Sequence, residues 1–418
     1  MRFIHTADIH LDSPIKGLEI PEDDPSAEII KTATRLAFDN LLDLAFEEEV
    51  DFILIAGDLY DGDWKDYNTG LFFVNRIGRL AAAGIRVFIV SGNHDAASQI
   101  TKTMPLPENV TLFSSRKPQS VPLNEFDVLV HGQSYPTRAV TGNLAAQYPQ
   151  YDANFFNIGL LHTSLTGRED HENYAPCRID ELKSKGYDYW ALGHVHKREI
   201  VSRDPWIIFP GNVQGRHIKE TGVKGATLVT VENRRITKVE ERELDVLRWS
   251  NCSVDLSTCE TRESIYGRVR SAMEKEQSLA DGRPLALRLL LKGSCPLHAE
   301  LHSRTANWTE EFRGLAAGIG DIWLEKVKFK TTPKASIDKI LDEDSPLTGL
   351  LHSINSMEFG YDSLTALVPE LALLKTKLPA ELLDKGSLFD ASVKELNEIR
   401  EEVKDMLIAR LLQHRGDA

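Results

Sequence analysis

Short apolar runs punctuate the first half of the chain: Phe3–Ala7, Phe52–Ala56, Val87–Ser91, Val128–His131, Ile158–Leu161, Tyr189–Leu192 and Ile207–Phe209. Between the first of them lie amphipathic stretches, Ala27–Glu48 and Asn68–Ala83, with apolar residues at helical spacing. Runs this short and this uniformly apolar read as strands buried on both faces. Alternating with helices, they predict a layered α/β domain with a largely buried sheet over residues 1–242. Thr227–Val231 and Arg235–Glu243 read as a closing hairpin.

After Arg242 the rhythm changes. Val246–Asp255, Leu285–Lys292 and Ile322–Lys330 read as strands, with helical patterns near Thr261–Ser278 and Leu297–Ala317 between them. This β-α-β-α-β unit, residues 243–331, is expected to be a second, small domain. Beyond Thr332-Pro333 the pattern is mostly helical, at Ser336–Leu341, Leu347–Asn355, Leu364–Lys375 and Ala391–Leu412, with Asp390 or Ser392 as the last N-cap. Residues 332–418 are therefore expected to form a helical C-terminal region.

Composition narrows the class. With 418 residues, 42% apolar and 27% charged, the chain suits a soluble globular protein of two or three domains. No apolar run approaches the ~20 residues of a membrane span. Met1 leads straight into a strand-like run with no cleavable apolar segment behind it, so a cytoplasmic location is expected. The four cysteines lack C-x-x-C spacing, which argues against a disulfide framework or zinc knuckle. A net charge of −14 disfavours a simple nucleic-acid coat. It leaves room for a nuclease, because bound divalent cations invert the field of an acidic site.

Candidate chemistry sits directly after the apolar runs: Asp8-Ile9-His10, Gly57-Asp58-Leu59-Tyr60-Asp61, Gly92-Asn93-His94-Asp95, Leu161-His162-Thr163 and Gly193-His194-Val195-His196. In open α/β sheets, ligands bind beyond the carboxyl ends of the strands, so these five motifs are expected to share one crevice. Alternate residues in D-x-H and H-x-H can present two ligands to neighbouring positions. Asp, Asn and His without thiolate suit manganese, iron or zinc. Asp58, next to Gly57, is the natural bridging carboxylate.

This ordered set, D-x-H, G-D-x-x-D, G-N-H-D, H and G-H-x-H, resembles the calcineurin-like metallophosphoesterase superfamily over about half the chain. The resemblance implies a layered metallophosphoesterase sandwich, with the β-α-β-α-β unit as a cap that contacts DNA. It implies that Asp8, His10, Asp58 and His196 hold one metal, and that Asp58, Asn93, His162 and His194 hold a second. His94 is left to contact the phosphate and act as general acid on the leaving oxygen. The opening HTADIHLD and the appended regions resemble SbcD-type DNA repair nucleases, and Phe209–Gly222 resembles their YhaO-like branch. That likeness implies DNA as substrate, two divalent ions with Mn²⁺ preferred, and homodimerisation through the catalytic domain. It also implies an SMC-like (SbcC-type) ATPase docked on the C-terminal helices, and a role in double-strand-break repair. The expected chemistry is attack on the phosphodiester by a hydroxide that bridges the metals. A phosphomonoesterase or cyclic-nucleotide phosphodiesterase would share every ligand.

Other residues carry two readings. Arg216 and His217, near a strand end, are candidates for a substrate contact or a structural role. Asp61 stands where archaeal and eukaryotic relatives place a second histidine; it and Asp95 are expected to orient imidazoles or staple loops. His5 and His131 are expected in the core, and Trp64 and Tyr67 in packing, over the site or at a dimer contact.

Overall fold

The computed structural model describes residues 1–18, 27–61, 67–97, 105–166 and 174–333, together with Gly349, Ser353 and Val403. Trp64 and the helices expected beyond Pro333 otherwise lie outside the described residues. The chain divides into two compact units, Met1–Asn251 with Ala280–Leu287, and Cys252–Leu279 with the residues from Arg288 onward. Among the described residues no helix is long and apolar enough to cross a membrane.

The first unit opens with β1 (Arg2–Thr6), α1 (Ala27–Lys31), α2 (Ala33–Glu47), β2 (Phe52–Ala56), α3 (Tyr67–Ala82), β3 (Arg86–Val90), α4 (Asn93–Ala97) and β4 (Val110–Leu112). Next come β5 (Gln119–Leu123), β6 (Val128–Gly132), β7 (Phe156–His162), α5 (Ile179–Ser184), β8 (Tyr189–Gly193), β9 (Glu199–Arg203) and β10 (Trp206–Phe209). Two long strands, β11 (Gly225–Glu232) and β12 (Arg235–Glu243), close it as the expected hairpin. The apolar runs fall in two six-stranded sheets, β12-β11-β1-β2-β3-β4 and β5-β6-β7-β8-β10-β9, as the expected sandwich requires. Strands β1 to β4 are parallel to one another, and so are β6, β7, β8 and β10.

Burial explains why these strands read as continuous apolar runs. Along β2, Phe52, Leu54 and Ala56 pack between the sheets with Val130, Ile158, Leu160 and Tyr189, while Ile53 and Ile55 face the helices. The helices meet them with Phe38, Leu41, Leu42, Phe73 and Ile77 at three- and four-residue spacing. On the far side, Trp190, Leu192, Ile207 and Phe209 are covered by Tyr148, Leu182 and Tyr187. Helix, sheet, sheet and helix thus stack as layers, and each interior strand is apolar on both faces. The single helix expected over Ala27–Glu48 is two helices meeting at Thr32, whose hydroxyl donates to the Glu28 carbonyl (2.7 Å).

After β12 comes a three-stranded sheet in the order β13 (Arg248–Asp255), β14 (Leu285–Cys295), β15 (Ile322–Pro333), most of whose residues belong to the second unit. Its helices are α6 (Arg262–Leu279), α7 (His298–Ser303) and α8 (Thr305–Ile319). Helix α6 buries Ile265, Val269 and Met273 on one face, and α8 buries Trp308, Phe312 and Ala316. The helix expected over Leu297–Ala317 is interrupted at Arg304, whose φ of −126° is not helical.

Candidate metal centre

The parallel registers level the carboxyl ends of β1, β2, β3, β7 and β8, since Thr6 pairs with Ile55, Ala56 with Val90 and His162 with Gly193. The motif loops are then laced together. Asp8 N–H donates to Gly57 O and His10 N–H to Asp58 O, both at 3.0 Å, and Leu11 N–H donates to Leu59 O at 2.9 Å. Asp95 accepts from the N–H groups of Tyr60 (2.9 Å) and Gly92 (3.0 Å), stapling the second loop to the third. Asp8 accepts from His194 N–H at 3.0 Å, joining the first loop to the last. Four residues of these loops lie in the left-handed region: Asp8 (φ 51°), His10 (47°), Asp58 (52°) and His194 (105°). Such conformations cost on the order of 1–3 kcal/mol each outside glycine, and they persist where surrounding bonds over-determine them.

Three overlapping groups of donor atoms result, the atoms of each lying within 4.8 Å of one another: Asp8, His10 and His196; His10, Asp58 and His94; Asp58, His162 and His194. Asp58 Oδ2 stands 4.0 Å from His10 Nε2 and 3.5 Å from His162 Nε2, and its Oδ1 accepts from His94 N–H at 3.0 Å. Asn93 Oδ1 is 3.0 Å from His162 Nε2. All seven sequence-predicted ligands therefore come together. His94 lies among them too, but its Nδ1 is held by Asp61 Oδ1 at 2.8 Å.

Lone pairs converge here in a way that suits cations. His162 Nδ1–H donates to Ala56 O at 2.8 Å, which in the neutral ring leaves Nε2 bare toward Asn93 and Asp58. Burial lowers the His162 pKa, against the charge of Asp58 and the Ala56 hydrogen bond. His196 Nδ1–H donates to Glu220 Oε1 at 2.6 Å, so its Nε2 faces His10 Nε2 (3.3 Å) and Asp8 Oδ1 (3.8 Å) as an acceptor. Burial, and next the charge of Asp58, push Asp8 well above the usual carboxylate range. Buried acceptors facing acceptors fit divalent ions, with Asp8, His10 and His196 on one side and Asn93, His162 and His194 on the other. Asp58 reaches both.

Two glycines make room. A Cβ on Gly92 would collide with Asp58 Oδ1 and stand 2.9 Å from His162 Cε1. A Cβ on Gly57 (φ 92°) would strike the His162 ring. Gly92→Ala is expected to fold with stability lowered by about 1–3 kcal/mol and to bind Mn²⁺ more weakly. Thermal melts and calorimetric titration check this; undiminished affinity would mean Asp58 does not need that space.

Around the ligands lies a cavity of about 700 Å³, lined among others by Asp58, Asn93, His94, His194 and His196, by the cationic Arg138, Lys197, Lys219 and Lys224, and by His217. His217 thus faces the cavity. Arg216 does not line it; its guanidinium donates to Ser13 Oγ (2.9 Å) and lies 3.6 Å from both Asp61 and Glu220. Burial works to lower the His94 pKa, but the Asp61 hydrogen bond and the charges of Asp58 and Asp61 hold it above the ordinary imidazole value. Burial alone would raise Glu220; the His196 hydrogen bond and the charge of Arg216 hold it below the usual range. Sequence reasoning passed over Glu220, Lys224, Arg138, Lys197 and Lys219. The signals were slight: Lys197 follows the Gly193–His196 motif directly, and Lys219 and Glu220 stand beside Arg216 and His217. His5 is buried between Tyr189 Oη (2.9 Å) and Leu192 O (3.1 Å), and His131 between Ser120 and Asn157. Tyr67 is exposed.

Comparison with known proteins follows the same residues. The calcineurin-like phosphoesterase family matches residues 1–198, and the middle domain of metallophosphoesterase YhaO matches residues 249–332. The chain is 40% identical over 301 residues to YhaO of Bacillus subtilis (strain 168), described as an uncharacterized metallophosphoesterase, covering 71% of this chain and 72% of that one. It is 26% identical over 305 residues to the DNA double-strand break repair protein Mre11 of Sulfurisphaera tokodaii, covering 70% and 73%. Among solved structures, TT1561 of Thermus thermophilus aligns over 58% of this chain and 98% of its own, at 14% identity and a TM-score of 0.35. On the YhaO match and the domain that carries the motifs, the chain belongs to the calcineurin-like phosphoesterases, metal-dependent hydrolases that hold two divalent metals, and to their YhaO-like branch.

Proposed function

We propose that this protein is a DNA nuclease, a two-metal phosphodiesterase acting in double-strand-break repair. The observation that carries this reading is the cavity lining: Arg138, Lys197, Lys219 and Lys224 surround the donor cluster of a chain whose net charge is −14. Cations gathered in one cleft of an acidic protein draw in a polyanion, and a polynucleotide has phosphates on either side of the one cleaved. Similarity to Mre11, itself described as a double-strand break repair protein, supports the same reading.

Asp8, His10, Asp58 and His196 would hold one ion, and Asp58, Asn93, His162 and His194 the other. When bound, two such ions supply Lewis acidity, activating a water and drawing charge from the phosphate oxygens. His94 protonates the departing sugar oxygen from Nε2, since Asp61 occupies its Nδ1. Lys197, Lys219 and Arg138 would hold the flanking phosphates, with His217 beside them. Mn²⁺ suits the all-oxygen and imidazole donor set. A homodimer and an SMC-like ATPase partner belong to this reading on the strength of the SbcD-type resemblance.

Metal-supplemented digestion of end-labelled single- and double-stranded DNA, run beside small phosphate monoesters and cyclic nucleotides, tests the proposal. Turnover of the small esters with DNA left intact would retire it. Lys197→Ala combined with Lys219→Ala is expected to raise the KM for DNA. It should also make log K less salt-dependent, by about 0.7–0.9 in slope for each phosphate no longer neutralised. Hydrolysis of bis(p-nitrophenyl) phosphate, which has no flanking phosphates, should change little.

A further inference from the structure

We propose that Arg216 is a positioning residue, one cation shared by two carboxylates that each orient an imidazole of the site. The inference rests on the metal-dependent hydrolase reading but not on the identity of the substrate. Asp61 Oδ1 holds Nδ1 of His94 at 2.8 Å, and Glu220 Oε1 holds Nδ1 of His196 at 2.6 Å. Arg216 lies between them: Nη1 is 3.6 Å from Asp61 Oδ2, and Nη2 is 3.6 Å from Glu220 Oε1. Ser13 closes the Asp61 side, accepting from Arg216 Nη1 at 2.9 Å and donating to Asp61 Oδ2 at 2.7 Å. The main chain closes the other, where Arg216 N–H donates to Glu220 Oε2 at 2.7 Å. His94, Asp61, Arg216, Glu220 and His196 thus form one continuous ionic chain around the cluster.

This arrangement solves a definite problem. An imidazole presents Nε2 to the site while an acceptor, for His94 and His196 a carboxylate, holds the hydrogen on Nδ1. Glu220 is 5% exposed, and a buried carboxylate needs a charged partner to offset its lost hydration. A guanidinium is always charged, and its planar fork can address two partners from one side chain. Arg216 is itself only 12% exposed at its side chain, and its two terminal nitrogens point at carboxylates rather than into the cavity. A role as the substrate's phosphate contact would need the reverse.

The test compares Arg216→Ala, Arg216→Lys, Asp61→Asn and the Arg216→Ala/Asp61→Asn double variant. Mn²⁺ affinity is read by calorimetric titration, and kcat and KM are read with the dinucleotide TpT, a small diester whose sugar-alkoxide leaving group needs the His94 proton. Arg216→Ala is expected to weaken Mn²⁺ binding and lower kcat, each by about 10–100-fold, with KM within about twofold. Arg216→Lys keeps the charge without the fork and should fall between Ala and wild type in both readouts. The double variant should lose little more kcat than the worse single one, because both act on His94 through one chain. A raised KM with kcat and Mn²⁺ affinity intact would make Arg216 a substrate contact and overturn the proposal. A lowered melting temperature with both readouts unchanged would reduce it to a structural strut, also overturning it. Should Arg216→Ala fail to fold, wild-type kcat and affinity in Arg216→Lys would overturn the shared-fork role. A wild-type protein that cleaves no DNA leaves the Mn²⁺ readout intact, so the nuclease reading can fail separately.

Discussion

Asp58→Ala should leave each chain with at most one divalent ion and with turnover reduced by several orders of magnitude. Asp58 belongs to two of the three donor groups, and it is the residue that reaches both His10 and His162. Removing it takes one ligand from each proposed ion at a stroke, along with the buried negative charge that offsets them. Ligand-supporting partners alone are worth about 10–100-fold in metal affinity, so a shared ligand should cost more than that. Loss of an ion's Lewis acidity, several kcal/mol of transition-state stabilisation, corresponds to about 10²–10⁴-fold in rate. Metal analysis of gel-filtered protein, beside steady-state assays, checks both parts. Two equivalents of tightly held metal in the variant would remove Asp58 from its bridging role.

His94→Ala is expected to do the opposite: keep both ions and lose about 10²–10⁴-fold in kcat, the scale of a general acid. The geometry makes this a sharp question, because the His94 ring stands close enough to His10 and Asp58 to be counted among the donors. Asp61 on Nδ1 leaves only Nε2 for the reaction. An acid is needed most when the leaving oxygen is basic. The loss should therefore be largest for a DNA phosphodiester, whose leaving group is a sugar alkoxide. It should be much smaller for p-nitrophenyl esters, whose leaving group departs without a proton. Equal losses on the two substrates, or a chain that loses an ion, would make His94 a ligand rather than an acid.

The site was readable in the sequence because each motif is local. Asp8, Asp58, Asn93, His162 and His194 each sit within a few residues of an apolar run's end, and that position carries the geometric information. Once parallel strands level their carboxyl ends, five such positions must meet. Strands β13 and β14 and helix α6 were readable for a similar reason: each buries mostly one face, so its periodicity survives in the residue pattern.

Pairing left no such trace. Uniformly buried strands such as β2 and β7 look alike whether they share a sheet or lie in facing ones, and only packing divided them into two. Edge strands β4, β5 and β9 escaped notice because they are short and half-exposed, with no apolar face to betray them. The sequence by itself determined which residues could hold metal, since ligand type and strand-end position are local properties. Tertiary structure alone decided what holds those residues in place. Glu220 meets His196 across 24 residues, and Arg216 reaches Ser13 across 203, through contacts that follow from how the layers close. Spacing along the chain carries no information about contacts of that kind, because closing a loop constrains its ends without marking the residues that will meet.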